Sequence, residues 1–444
     1  MSSPIKTHVF PNGFRIVYEK SNSPLPISSI YAFCHLGSIH EKDTLHGASH
    51  IIEHMCFKGT PRIPTTKDVF LQYDKIGAYF NAFTSNEYTC YTIKCNSEYF
   101  QHSLSIVSDM MLNSVFRKND YQREHPVVIE ENNNNDNNPD RLIGTDTAHL
   151  LYLGSLFEHA IDKLAYHVPG NLNYKDVLET YHRYYRRNNM LVSIVSDIPF
   201  ETIKGYLNKT LFIKGGGNSK NECVPDLVRL PLTPQSGCRY NLRNKKGLTN
   251  TLVTIGFRTC ARNSPDMYPL EVLKIILGES SGRLFGILRV KKSIVYSPKV
   301  ETDYNTDTGS FIFLAKTDSH KLMHYKKDKG LLPLFIEIIT NLIRKGVDED
   351  ELNMAKGFIR GNILLSLQDQ GAQVIYNGEA CLLNNASQKI VPYSELYETY
   401  YKNIKKKDII DVIHKYFIQD NMTVCLVGET LPSLDTIEKT CNKI

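Results

Sequence analysis

His50, Glu53 and His54 stand close together in the stretch HGASHIIEHMCFKGT at 46–60, two imidazoles four residues apart with a carboxylate just before the second. Residues four apart share one face of an α-helix, so both histidines can turn a ring nitrogen toward the same cation while Glu53 leans over it. Two histidines and one further carboxylate leave zinc a fourth position open for water. The metal lowers the pKa of that water toward about 7, and a neighbouring carboxylate can then take its proton, which is the chemistry of metal-assisted hydrolysis. Glu53 is the natural general base. The same residues also permit a plainer arrangement, an amphipathic helix whose histidines only satisfy hydrogen bonds.

The motif needs a helix, and the sequence predicts one: apolar and polar positions follow helical spacing from Thr44 to about Phe57, with Gly59 as a stop. Before it, Pro11-Asn12-Gly13 reads as a turn between extended runs, and SSIYAFCHLGS at 28–38 as a strand. After it come a helix at 65–78 with a Thr cap, an aromatic and β-branched strand or hairpin at 78–95, and a long helix at 98–116. Part of 119–131 is expected to be helical, then the patch NNNNDNN at 132–138, a helical stretch around 145–157, and YKDVLETYHRYYRRNN leading into the apolar strand 190–197.

Pro126 predicts that the helix near 119–131 either starts late or kinks, because proline lacks the backbone donor and clashes with the preceding turn. The second half repeats the order loosely: strand 251–259, helix 268–278, strand-like segments to Asp318, long helices through 331–366 and a final strand 422–428. It contains no HxxEH, so a duplicated fold with one active copy is expected.

With 444 residues, 41% hydrophobic and 22% charged, the chain is globular and too long for one core, which predicts two domains. The domains are placed at 1–212, catalytic and zinc-binding, and 239–444, related but without zinc, joined by a Gly, Pro, Ser and Asn-rich linker at 213–238. No apolar run reaches the 18 or so residues of a membrane span. The net charge of +5, from 52 basic against 47 acidic residues, is small and scattered, which excludes nucleic acid as the expected partner. Ten cysteines stand as singletons without a CxxC pair, a pattern of reducing compartments. The N-terminus lacks the layout of a secretory signal or transit peptide, so the chain reads as intracellular, cytoplasmic rather than mitochondrial. Its asparagine-rich patches suggest an AT-biased genome, as in some protists and large DNA viruses.

The order H-x-x-E-H inverts the commoner H-E-x-x-H and defines the inverzincin metalloproteases. Together with Gly37-Ser38 and Glu41, the segment HGASHIIEHMCFKGT resembles the active-site helix of the pitrilysin/insulinase family of zinc peptidases, which includes the mitochondrial processing peptidase and its short bacterial relatives. The resemblance implies one Zn2+ per chain, His50 and His54 as ligands and Glu53 as catalytic base. The family's third ligand is a Glu roughly 80 residues on, and REHPVVIEEN at 123–132 matches with Glu131 as ligand, in preference to its neighbour Glu130, and Glu124 as the acidic residue behind the site. Glu124 and Glu131 are two turns apart and share a face.

The stretch GAYFNAFTSNEYT at 77–89 resembles the family's substrate-binding edge strand, which implies Asn81 and Ala82 as peptide-contacting positions; a peptide added to a sheet edge is held through its backbone. SSGRLFGILRVKKSIVYS at 280–297 resembles the segment that supplies an Arg and a Tyr, here Arg289 and Tyr296, as donors to the oxyanion of a tetrahedral intermediate. Val290 and Ser293 replace the usual Glu and Gly there. HAIDKLAYHVPG at 159–170 is similar to a further family segment.

The implied fold is α+β, two structurally related domains, each an antiparallel β-sheet with helices, enclosing a chamber. The implied activity is a zinc-dependent endopeptidase acting on short or unfolded peptides. The length matches the family's dimeric branch, as a homodimer or a heterodimer with a related subunit. Two other readings stand beside it: a non-catalytic member acting as a binding or assembly subunit, and a serine hydrolase using Ser280 in GESSG at 278–282. That elbow must follow a buried strand, whereas LEVLKIIL before it has helical spacing.

Overall fold

The structure, a computed structural model, describes residues 5–41, 45–158, 172–214, 232–384 and 389–442. Most of the expected linker and the segment HAIDKLAYHVPG lie outside the described residues. The first half of the chain forms β1 (Lys6–Val9), β2 (Arg15–Lys20), β3 (Ile27–Cys34), α1 (Ala48–Cys56), α2 (Thr66–Asp74), β4 (Tyr79–Thr84), β5 (Thr89–Asn96), α3 (Phe100–Asn113), α4 (Lys118–Asn137), α5 (Pro139–Leu151), α6 (Tyr174–Tyr184), β6 (Met190–Ser196) and α7 (Phe200–Leu207). The second half forms β7 (Arg239–Asn244), β8 (Asn250–Thr259), α8 (Met267–Gly278), β9 (Lys299–Tyr304), β10 (Gly309–Asp318), the short ribbon β11 (His324–Tyr325) and β12 (Asp328–Lys329), α9 (Leu331–Lys345), α10 (Glu349–Ser366), α11 (Gln370–Leu383), α12 (Lys406–Tyr416), β13 (Met422–Gly428) and α13 (Leu434–Cys441).

Among the described residues one sheet runs in the order β1-β2-β6-β3-β5-β4 and another in the order β7-β13-β8-β10-β9. With β1 set aside, the two orders correspond strand for strand, so the expected relation between the halves is present in the topology. The sheets are not purely antiparallel, as the sequence suggested. β2 pairs parallel with β6, and β7 parallel with β13, while the other pairs of both sheets are antiparallel. Hairpin signals are local, whereas a parallel pair needs a long crossover and leaves no turn in the sequence to announce it.

The described residues fall into two compact units, and neither is one continuous stretch. The first comprises Met1–Asn133, His159–Arg229 and Ile363–Glu395; the second comprises Asn134–Glu158, Leu230–Asn362 and Leu396–Ile444. A single cut within 213–238 therefore does not describe the division: α11, from the second half of the chain, belongs to the first unit, and α5, from the first half, to the second. In the first unit α11 covers β2, β3 and β6, with Ser193 Oγ donating to Val374 O at 2.7 Å and Asn377 Nδ2 to Glu19 Oε2 at 2.8 Å. In the second, α5 covers β8 and β13, with the Thr147 and Thr254 hydroxyls 2.6 Å apart and Arg243 gripping Asp146 through two bonds of 2.6 and 2.7 Å. Sheets covered on both faces explain why β6 (MLVSIVS) and β13 (MTVCLVG) are buried along their whole length instead of alternating.

Two local expectations are corrected. α4 begins at Lys118, eight residues before Pro126, and continues through the asparagine-rich patch to Asn137, so of the two expected effects of the proline the late start does not occur. Proline there removes the backbone bond that Gln122 O would have accepted and crowds that carbonyl. Asn138 then caps α5, its side chain accepting from Asp140 N at 3.0 Å, and α5 starts earlier than the expected 145. Among the described residues no helix is long and apolar enough to cross a membrane.

The fit of α11 on the first sheet is tight at one point. A Cβ on Gly378 would lie 2.3 and 2.4 Å from ring atoms of Phe33, itself wholly buried. Gly378→Ala should therefore lower the stability of the folded chain by about 1–3 kcal/mol despite the better helix propensity of alanine. Urea unfolding of the two proteins measures it; an unchanged midpoint would be incompatible with this helix-on-sheet approach.

Candidate metal centre

The motif helix α1 is set by its own burial pattern. Ile51, Ile52, Met55 and Cys56 are completely buried in the core of the first unit, and Ala48 with them, which leaves the face carrying His50, Glu53 and His54 along the margin of that core. The helix starts at Ala48, later than the spacing from Thr44 suggested. Gly47 precedes it at φ 86°, a left-handed conformation that glycine adopts without strain. The Glu41 carboxylate then accepts from Gly47 N and Ser49 N, both at 2.7 Å, so a negative charge and two bonds cap the helix N-terminus.

α1 brings the two imidazoles together edge to face, ring centroids 4.7 Å apart, with their Nε2 atoms 3.2 Å from each other. α4 supplies the carboxylates. Tyr121 and Val128 are buried on its inner side, and Glu124 and Glu131 lie on the same side. At 3.6 residues per turn Glu131 is only about 20° round the helix from Glu124, and Glu130 about 120° away. Glu131 Oε2 stands 3.9 Å from His50 Nε2 and 3.7 Å from His54 Nε2. Among the described residues His50, His54 and Glu131 form a group able to hold a metal ion. Donor atoms about 2.0–2.2 Å from a tetrahedral zinc stand roughly 3.3–3.6 Å apart. The observed separations of 3.2, 3.7 and 3.9 Å fit such an ion with a small inward movement of Glu131.

Behind this group stands Glu124, as the resemblance implied, together with a lysine that the sequence reading missed. His54 Nδ1 is 2.9 Å from Glu124 Oε1, and the other oxygen of Glu124 is paired with Lys58 Nζ. A carboxylate at Nδ1 favours the tautomer whose proton sits there, which turns the lone pair of Nε2 toward the Glu131 side. Lys58 lies one helical turn beyond His54, in the FKGT that closes the motif segment; that spacing was the available signal. Glu53, buried, has its Oε2 bonded by the Thr84 hydroxyl at 2.7 Å.

The electrostatics split the two histidines. His50 is pushed down to about 4, by burial first and by His54 second. His54 is also opposed by burial, but its hydrogen bond to Glu124 and the charges of Glu53, Glu131 and Glu124 outweigh that and raise it above its ordinary 6.5. Burial works against ionised Glu124 too, and the bonds from His54 and Lys58 hold its carboxyl below the usual range.

β4, whose Thr84 meets Glu53, is the edge strand of the first sheet, antiparallel to β5 from Tyr79↔Lys94 to Thr84↔Thr89. Asn81 and Ala82 lie on it. Asn81 Oδ1 accepts from Ala82 N at 2.9 Å, so the strand's own side chain engages that edge donor. Arg289 and Tyr296 belong to the second unit. The guanidinium lies 4.9 Å from the Tyr296 ring centroid, and both side chains are exposed, Arg289 within a π-helical segment Phe285–Lys291. Ser280 follows α8, a helix, so GESSG lacks the buried strand that a nucleophile elbow requires.

Comparison with known proteins is consistent across the chain. The family model described as "Insulinase (Peptidase family M16)" matches residues 15–152, and that described as "Peptidase M16 inactive domain" matches 171–357. The chain belongs to peptidase family M16. Similar proteins include the uncharacterized zinc protease YmxG of Bacillus subtilis, 28% identical over 386 residues that cover 85% of this chain and 88% of that protein. The beta subunit of the mitochondrial-processing peptidase of Caenorhabditis elegans is 26% identical over 95% of this chain and 89% of its own. Among solved structures, a protease from Helicobacter pylori superposes with a TM-score of 0.86 at 20% identity, covering 96% of this chain and 100% of that one.

Two outcomes are expected of zinc titrations against a chromophoric chelator. The apparent affinity of the metal-free protein should be level above the raised pKa of His54 and fall about tenfold per pH unit below it, because the ion must displace the proton that His54 then carries. Lys58→Met should weaken binding by about 10–100-fold through the loosened Glu124, and Lys58→Arg should restore most of it. Equal affinities in all three proteins would remove Lys58 from the centre.

Proposed function

We propose that the chain is a zinc-dependent endopeptidase acting on short or unfolded peptides. The observation that carries this reading is the convergence of the His50 and His54 Nε2 atoms and Glu131 Oε2 within 3.9 Å of one another, beside a buried Glu53 bonded to the sheet's edge strand. His50, His54 and Glu131 would hold one zinc ion, which when bound would polarise the scissile carbonyl and make water easier to deprotonate. Glu124 acts behind them by orienting His54.

The chain's own groups do the rest. The peptide adds to the free edge of β4 through its backbone, with the Asn81 side chain giving up the Ala82 N–H to it. Glu53, steadied by the Thr84 hydroxyl, takes a proton from the attacking water while the water oxygen bonds to the carbonyl carbon. As the C–N bond breaks, that proton passes to the leaving nitrogen. Arg289 and Tyr296 are the donors proposed for the oxyanion, on the resemblance of residues 280–297. The named beta subunit among the relatives supports assembly with a second, related chain, either a copy or a partner subunit. The place of action proposed is intracellular.

The test is cleavage of a quenched fluorescent peptide, with metal content measured on the same samples. Wild type should cleave and lose activity to 1,10-phenanthroline; Glu53→Gln should keep its zinc and lose roughly 10²–10⁴-fold in kcat. A wild-type protein that holds zinc but cleaves nothing would favour the non-catalytic binding role, and full activity in Glu53→Gln would exclude Glu53 as the base.

A further inference from the structure

The second unit contains a cavity of about 650 Å3 that the metal centre does not use. Part of its lining is apolar: Ile276 near the end of α8, Ile287, Leu334 and Ile338 on α9, and Met354 on α10. The rest is charged. Three carboxylates line the cavity, and each already has a cation. Glu351 is gripped by both Arg283 Nε and Nη2, the second at 2.6 Å; Asp328 pairs with Lys292; Glu337 pairs with Lys329 at 2.8 Å. Lys291 and Lys345 line the same cavity, and among the described residues neither has a carboxylate within ion-pair distance.

The lining thus presents two positive charges in excess, next to apolar surface. A cavity of this size lies within the roughly 300–1,000 Å3 of small-molecule sites, and such sites combine an apolar wall with a few polar anchors. Ammonium groups are point charges that accept a carboxylate or a phosphate without the planar geometry that arginine demands. Gly286, Ile287 and Lys291 of the lining belong to the π-helical segment Phe285–Lys291, a distortion that frequently marks functional positions.

We propose that this cavity binds an organic anion with an apolar body, a carboxylate or phosphate ester carried on an alkyl chain or ring. Its acidic group pairs with Lys291 and Lys345, and its apolar part lies against Ile287, Leu334, Ile338 and Met354. The site is lined wholly by the second unit and does not depend on the peptidase reading.

Isothermal titration calorimetry on the full chain tests it, with decanoate, decyl phosphate, inorganic phosphate, decanol and decyltrimethylammonium as probes. One or both amphiphilic anions should bind at a single site in the micromolar range, and the tighter identifies the headgroup. Binding should weaken by about tenfold or more in 0.5 M salt and in the Lys291→Glu/Lys345→Glu double variant, whose substituted positions are both exposed. Gly286→Leu provides a second route: a Cβ there meets no heavy atom within 4 Å, so the side chain fills open space in the cavity and should abolish binding while leaving thermal unfolding intact. Decanol or the cationic probe binding as tightly as the anions, inorganic phosphate binding as tightly as decyl phosphate, no single-site binding by either anion, or undiminished binding in both variants would each overturn the proposal.

Discussion

The candidate centre depends first on the burial of one face of α1. Four adjacent-turn side chains, Ile51, Ile52, Met55 and Cys56, have no solvent exposure, and rotating the helix to move His50 or His54 would drag that stripe out of the core. At roughly 1.5–3 kcal/mol for each large side chain, burial of the apolar face is what fixes the rotation of the helix and so holds the two imidazoles 3.2 Å apart. The histidines are therefore held in place by the packing of the helix itself. A preformed donor set of this kind loses less freedom on binding than one assembled from loops.

Charge is arranged around that scaffold with the same economy. Protonation of one imidazole disfavours protonation of its neighbour, and the two are placed differently: His50 is pushed toward the neutral form by burial and by His54, whereas the bond to Glu124 and the surrounding carboxylates outweigh burial at His54. Lys58 in turn keeps Glu124 ionised despite its burial. The result is a line of alternating charge running from Lys58 through Glu124 to His54, with Glu131 on the far side of the rings. Removal of any one member would leave its neighbour in the line partly desolvated and with one charge partner fewer.

The second unit has the same strand order with different chemistry. α8 occupies the place in the order that α1 takes after β3, yet its sequence MYPLEVLKIILG is apolar on most sides and carries no histidine. The segment after it instead contributes Arg289, Tyr296 and the cationic cavity. One topology thus carries a His50/His54/Glu131 group able to hold a metal ion in one copy and exposed cationic side chains in the other, as expected when function resides in side chains carried on a common framework.

Much of this was legible in the residues. The spacing of HIIEH puts three chemical groups on one helical face, and the match of REHPVVIEEN to the family pattern preferred Glu131 to Glu130; most strands and helices also announced themselves through local periodicity. What the sequence could not contain was long-range pairing. The parallel pairs β2–β6 and β7–β13, the assignment of α5 and α11 to units formed mainly by the opposite half of the chain, and the meeting of Thr84 with Glu53 join residues with no periodic relation along the chain. Pro126 shows the same limit from the other direction: local propensity allowed a helix that starts only at the proline, but α4 begins about two turns earlier, with Tyr121 and Val128 buried on either side of it in sequence. Short-range spacing determined which groups could act together, and packing of distant segments decided which of them meet, because burial energy is summed over the whole core while a motif spans only a few turns.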